Sequence, residues 1–193
     1  MTETKLIGIS GTLGAGKDTA AHYIMERGFR HVSTGDVLRA EASRRGLSHD
    51  RPVLIELAKT IGQEQNNPYA LVAMAIQDWR RQPATQRGGL VMSGLRIYGE
   101  AQEFKAQGGR LVFVDAPVEL RYRRIQGRRR DAEAQQSLEQ FAAHDRVEYE
   151  GLGGPSWPNL RAIKDISDIV LTNDKNEAEF RQQLGRYLFG ILD

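Results

Sequence analysis

Lys17, preceded by glycines at 11, 14 and 16 and followed by Asp18 and Thr19, is the feature of this chain with the most definite chemistry. Glycines let a backbone turn so tightly that successive N–H groups point inward and form a nest for an anion. The residues from Lys17 onward have helical spacing, so the nest opens on a helix N-terminus with its partial positive charge. Gly11-x4-Gly16-Lys17 is the spacing of a phosphate-binding loop, in which the lysine reaches the β- and γ-phosphates of a nucleoside triphosphate. The strict pattern has a hydroxyl directly after the lysine. Here Asp18 takes that place and the hydroxyl follows at Thr19. Gly11, Gly14, Ala15, Gly16, Lys17, Asp18 and Thr19 are therefore the expected triphosphate-binding residues, with a nucleoside triphosphate as the ligand.

The loop needs a strand before it and a helix after it, and both are legible. Residues 5–10 form a short, largely apolar run with two Ile, the pattern of a strand buried in a parallel sheet. Further strands are expected over 29–33, 90–94, 110–116 and 167–172. Helices are expected over 17–28, 37–45, 50–65, 69–81 and 100–107, after Pro117, from the Ser137-x-x-Gln140 capping box towards Tyr149, and over 176–188. Residues 151–158 read as a Gly- and Pro-rich loop. Strands alternating with helices imply a parallel sheet covered on both faces. The four histidines have no ligand spacing, and Trp79 and Trp157 read as packing residues.

At 193 residues, with 40% hydrophobic and 27% charged residues, the chain suits one globular domain. Net charge is only +2, and arginines cluster at 80–81 and between 121 and 130. That favours a local anion site over the basic stripe of a nucleic-acid binder. The absence of cysteine excludes disulfides and cysteine-ligated zinc. With neither a signal peptide nor an apolar run of membrane-spanning length, the expectation is a cytoplasmic protein with no membrane partner.

Taken together, these segments resemble the nucleoside monophosphate kinases of the adenylate kinase type. Gly14-Ala15-Gly16-Lys17-x-Thr19 is similar to that family's loop, whose hydroxyl also lies two residues after the lysine. Ser33-Thr34-Gly35-Asp36-Val37-Leu38-Arg39-Ala40 resembles its acceptor-binding signature. Gly94-Leu95-Arg96 resembles its Asp-Gly-Phe-Pro-Arg segment, shortened by one residue and with Ser93 in place of the aspartate. Arg124-Ile125-Gln126-Gly127-Arg128-Arg129 resembles the hinge into its lid. The second half of the chain is nearer to an uncharacterised archaeal group of nucleotide kinases, and the variant Gly-Lys-Asp-Thr also recurs in deoxynucleoside monophosphate kinases.

The resemblance implies a P-loop kinase fold over residues 1–193: a parallel five-stranded α/β sheet, a helical acceptor-binding lobe at 36–80 and a short lid at 127–150. It implies ATP and Mg²⁺ as cofactors, a nucleoside or deoxynucleoside monophosphate as acceptor, and a monomer. Lys17, Arg96, Arg124, Arg128 and Asp36 would be catalytic, Thr34, Asp36, Arg39 and Arg96 would bind the acceptor, and Thr19 and Asp36 would serve the metal. Thr34 and the stretch from Gln63 to Asn67 would face the acceptor base. Phosphoryl transfer requires cations on both sides of the moving group, which two arginine pairs would supply. In a dephospho-CoA kinase, a related small P-loop enzyme, Asp36 would instead be the base for a ribose hydroxyl. A third reading is a P-loop ATPase or regulatory switch, against which the acceptor-side arginines argue. Asp115 is left open between a structural and a functional role, and Asp145 between the lid and a surface setting in which Arg146 pairs with Glu150.

Overall fold

Five parallel strands in the order β2-β3-β1-β4-β5 form the single sheet of the computed structural model, which describes residues 6–83, 88–127, 136–154 and 157–192. The chain runs β1 (Leu6–Gly11), α1 (Lys17–Met25), β2 (Arg30–Ser33), α2 (Thr34–Arg44), α3 (Arg51–Glu64), α4 (Ala70–Arg80) and β3 (Leu90–Ser93). It continues through α5 (Tyr98–Ala106), β4 (Arg110–Asp115), α6 (Val118–Gly127), α7 (Leu138–Glu150), α8 (Leu160–Ile166), β5 (Ile169–Thr172) and α9 (Glu177–Leu192). Strand order reverses at β1, which lies between β3 and β4. Open α/β sheets bind ligands in the crevice outside the carboxyl end of the strand where this reversal occurs.

Alternation along the strands builds a core on each face of the sheet. Ile7, Ile9, Val112 and Val114 point to one side, where they pack with Ala20 and Ile24 of α1 and Phe180 and Leu184 of α9. Leu6, Met92, Leu111 and Phe113 point to the other, against Val72, Ile76 and Trp79 of α4, Phe104 of α5, and Leu160 and Ile163 of α8. A smaller cluster of Ala42, Leu57, Ile61 and Ala70 holds α2, α3 and α4 together as a helical lobe beside the sheet. Among the described residues, no helix is long and apolar enough to cross a membrane.

Several boundaries differ from the sequence reading for local reasons. α2 begins at Thr34 instead of 37. Ser33 caps it, with its Oγ accepting from the Asp36 N–H at 3.0 Å while the Asp36 carboxylate accepts from the Ser33 N–H at 3.0 Å. α5 begins at Tyr98 because the Glu100 carboxylate accepts from the N–H groups of Arg96 and Ile97, each at 3.3 Å. The short helix α8 was not foreseen. It is capped by the Asn159 side chain, which accepts from the Ala162 N–H at 3.0 Å. Trp79 is buried as expected, but Trp157 is 52% exposed and does not pack in the core. Residues 128–135 of the expected lid, and Arg128 with them, lie outside the described residues; 138–150 is α7, packed on α6 and α8.

Candidate functional site

The loop between β1 and α1 is held open from behind by its own carbonyls. Lys17 Nζ donates to the carbonyls of Gly11 at 2.8 Å and Thr12 at 2.7 Å. Arg121 Nη1 donates to that of Leu13 at 3.3 Å, and Asn173 Nδ2 to that of Ala15 at 2.8 Å. With these oxygens occupied, the first N–H groups of α1, which have no intrahelical partner, remain for a ligand. Two glycines are required by geometry. A Cβ on Gly11 would lie 1.9 Å from the carbonyl oxygen of Val114 in β4, so only glycine lets the strands approach there. Gly16 has φ +104°, and a Cβ on it would lie 2.3 Å from Asn173 Nδ2.

The charges behind the loop are paired and buried. Arg121, 4% exposed, donates through Nε to the Ala116 carbonyl at 2.7 Å and through both terminal nitrogens to the Asp145 carboxylate, at 2.6 and 2.7 Å. Asp145 is thus paired with the buried Arg121 and is not in a surface setting. Glu150 of the same helix pairs with Arg161, not with the expected Arg146. Asp115 at the end of β4 accepts from Thr12 Oγ1 at 2.8 Å and from Lys164 Nζ at 3.2 Å, so it fixes the loop's entry and is structural.

Lys17 itself is poised between states. Burial away from water, reinforced by the neighbouring Arg96 guanidinium, lowers its ammonium to about 8. An anion in the loop would offset both causes by its charge.

On the β3 side, Arg96 follows the strand end, and its guanidinium pairs with Glu148 of α7. On the β2 side, Arg39 donates to Asp36 Oδ1 at 2.7 Å. The Asp36 carboxylate lies below the usual range because Ser33 and then Arg39 donate to it, with desolvation opposing. Asp36 is therefore committed to capping α2. It lies three residues past β2, which is two strands, about 10 Å, from β1. At the end of β3, the Ser93 hydroxyl is bonded to His31 Nε2 at 2.9 Å.

On the opposite side of the loop, Gly16, Thr19, Arg124, Asn173, Glu177 and Phe180 line a recess of about 300 Å³. Arg124 Nη2 donates to Asn173 Oδ1 at 3.3 Å, tying α6 to the segment after β5. Among the described residues no cluster of three His, Asp or Glu side chains could hold a metal. Thr19, expected to serve a metal, lies on the first turn of α1, and Asp36, expected to do the same, is bonded to Ser33 and Arg39 in the α2 cap. A cleft of about 900 Å³ lies between β2 and the helical lobe of α2, α3 and α4, with His31, Asp36, Glu41, Glu64 and Asp78 among its lining residues.

Of the expected site residues, Lys17, Thr19, Arg39, Arg96 and Arg124 are placed at the loop or at the strand ends and helices flanking it, whereas no role was expected for Arg121, Glu148 or Asn173 and the pairing of Asp145 with Arg121 was not foreseen. Arg121 had left a trace, since an arginine one turn before the buried Ile125 occupies an apolar face.

Loop, sheet order and flanking helices together define an α/β protein of P-loop kinase-like fold. The chain belongs to the family described as an AAA domain, whose model matches residues 10–141, and to the UPF0200 proteins, being 30% identical over 191 residues to that of Methanothrix thermoacetophila, with 93% of this chain and 94% of the relative covered. The UPF0200 protein of Sulfurisphaera tokodaii is 27% identical over the whole of both chains. A UPF0200/UPF0201 protein of Archaeoglobus fulgidus is 29% identical over 98% of this chain, which spans 56% of that longer relative. Among solved structures, TT1252 from Thermus thermophilus superposes with a TM-score of 0.61 at 18% identity, covering 98% of each chain. Shikimate kinase from Acinetobacter baumannii, in complex with shikimate, has a TM-score of 0.56 at 17% identity, over 98% of this chain and 94% of that one. Dephospho-CoA kinase from Campylobacter jejuni has 0.53 at 18%, over 97% of each.

Proposed function

We propose that this protein transfers the γ-phosphoryl group of ATP to a small acceptor, and that the acceptor is a nucleoside or deoxynucleoside monophosphate. The observation that carries the reading is the placing of cations around the loop: Lys17 within it, Arg96 and Arg39 towards the helical lobe, and Arg124 beside the opposite recess. An enzyme that only hydrolysed ATP would have no use for arginines on the lobe side.

The N–H groups of the loop and Lys17 bind and orient the triphosphate, and Arg124 closes on it from α6. Arg96 and Arg39 turn from their carboxylate partners to the acceptor's phosphate, which arginine binds in bidentate fashion. Mg²⁺ would be held through Thr19, and when bound it neutralises charge on the phosphate oxygens. Positioning and charge neutralisation suffice, because a phosphate acceptor needs no strong base.

A hydroxyl acceptor is the second reading. It is favoured by Asp36, a carboxylate just after β2 that neutralises Arg39 and so leaves less positive charge there for an anionic acceptor. The test is to incubate the protein with ATP, Mg²⁺ and each common nucleoside monophosphate, deoxynucleoside monophosphate or dephospho-CoA, and to identify the phosphorylated product by mass spectrometry. A nucleoside diphosphate supports the first reading, phosphorylated dephospho-CoA the second.

A further inference from the structure

We infer that Glu148 determines acceptor specificity by standing in for the acceptor's phosphate on Arg96, so that only a ligand carrying a dianionic phosphate displaces it. The inference rests on the kinase reading and sharpens it to a class of acceptor.

The position of Glu148 is fixed independently of its bond to Arg96. One turn earlier on the same helix, Asp145 is clamped by the buried Arg121, which also reaches the loop at Leu13 and the end of β4 at Ala116. α7 is therefore anchored to the phosphate loop's own scaffold, and an i,i+3 step places Glu148 on the same face. Its carboxylate meets Arg96 at the mouth of the crevice and raises the ammonium affinity of Lys17 for its proton, while Arg96 lowers it. The three charges thus act on one another at the place an acceptor would enter.

Three other carboxylates at this end of the sheet each have more than one donor. Asp36 accepts from Ser33 and Arg39, Asp115 from Thr12, Ala116 and Lys164, and Asp145 from Arg121 twice. Among the described residues Glu148 has a single ion-pair partner, Arg96, and the two side chains remain 27% and 45% exposed. An ion pair this open to water is weak. A carboxylate brings one negative charge to the guanidinium and a phosphate monoester brings two, in a geometry that the guanidinium matches equally well. The monoester therefore wins Arg96. A neutral hydroxyl compound does not, because it must break the pair without replacing its charge, and a monoanion gains nothing over the carboxylate it would displace. Rejection by an incumbent charge is a way of building specificity against the wrong ligand.

The test is a double-substitution cycle read by calorimetric titration of inorganic phosphate at neutral pH. Wild type, Glu148→Gln, Arg96→Ala and the double variant are compared, with Glu148→Ala alongside in case glutamine still bonds to Arg96. The phosphate loop's own affinity is common to the whole set. Removing Glu148 is expected to tighten phosphate binding about fivefold when Arg96 is present and to change it less than about twofold when Arg96 is absent. An equal gain in both backgrounds would show a general charge effect and overturn the proposal. No gain, or weaker binding, would make Glu148 a support that positions Arg96 and would overturn it too. The outcome is separable from the kinase reading: a positive cycle without phosphoryl transfer to any monophosphate refutes the reaction but keeps the switch.

Discussion

Because Lys17 is held near 8 while the loop is empty, nucleotide binding must take up a proton under mildly basic conditions. Among phosphates the ammonium regains its ordinary value of about 10.5. The uptake on binding is then about 0.1 proton at pH 7 and about 0.9 at pH 9, and affinity falls about 25-fold between pH 7 and pH 9.5 as the empty loop loses its charge. The phosphates are fully ionised at the upper end of that range and contribute no proton. Calorimetric titration with a non-hydrolysable ATP analogue, in buffers of different ionisation enthalpy, reads the uptake directly, and Lys17→Met should abolish it. Stability of the empty protein should move in the opposite sense. The unfolded chain binds more protons than the folded one between about 8 and 10.5, so this group makes the fold more stable as pH rises through that window, and Lys17→Met removes the rise. Binding at pH 9 without proton uptake, or uptake that survives in Lys17→Met, would refute the reasoning.

Asp145→Asn strips the buried Arg121 of its counter-charge, and should cost about 3 kcal/mol, seen as a melting temperature lower by about 6–12 °C. Gly16→Ala forces a left-handed backbone on alanine and drives a Cβ into Asn173. It should cost about 2–3 kcal/mol in chemical denaturation and eliminate nucleotide binding in the same titration. Glu41, buried in the lobe, is lowered to about 2 by hydrogen bonds from Arg44 and then Arg45. Glu41→Gln should destabilise by about 1–2 kcal/mol near neutral pH. That difference is fully present above about 4.5 and lost as pH falls through about 2, which denaturation at a series of pH values would follow.

Local signals carried the phosphate loop, the five strands and most helices, because each depends on residues near one another in sequence. Gly16 and Lys17 announce a loop, and alternating Leu111, Val112, Phe113 and Val114 announce a strand between two cores. What the sequence hid depends on distant elements meeting. The Arg121–Asp145 clamp joins α6 to α7, Asn173 reaches back to Ala15, and Glu148 finds Arg96. No spacing rule links such residues. Asp36 was legible as a residue of interest, but its bond to Ser33 makes it a helix cap as well, a use that its resemblance to an acceptor-binding motif concealed. Trp157 looked like core material because large aromatics usually are; it lies at a glycine-rich turn and stays in water.

The measurement that bears most directly on the proposed reaction is ADP production from ATP and Mg²⁺, with and without each acceptor, in wild type and Lys17→Ala. Production that requires a nucleoside monophosphate and disappears in the variant is the predicted result. Production that depends on Lys17 but needs no acceptor would contradict it and leave an ATPase on a kinase fold.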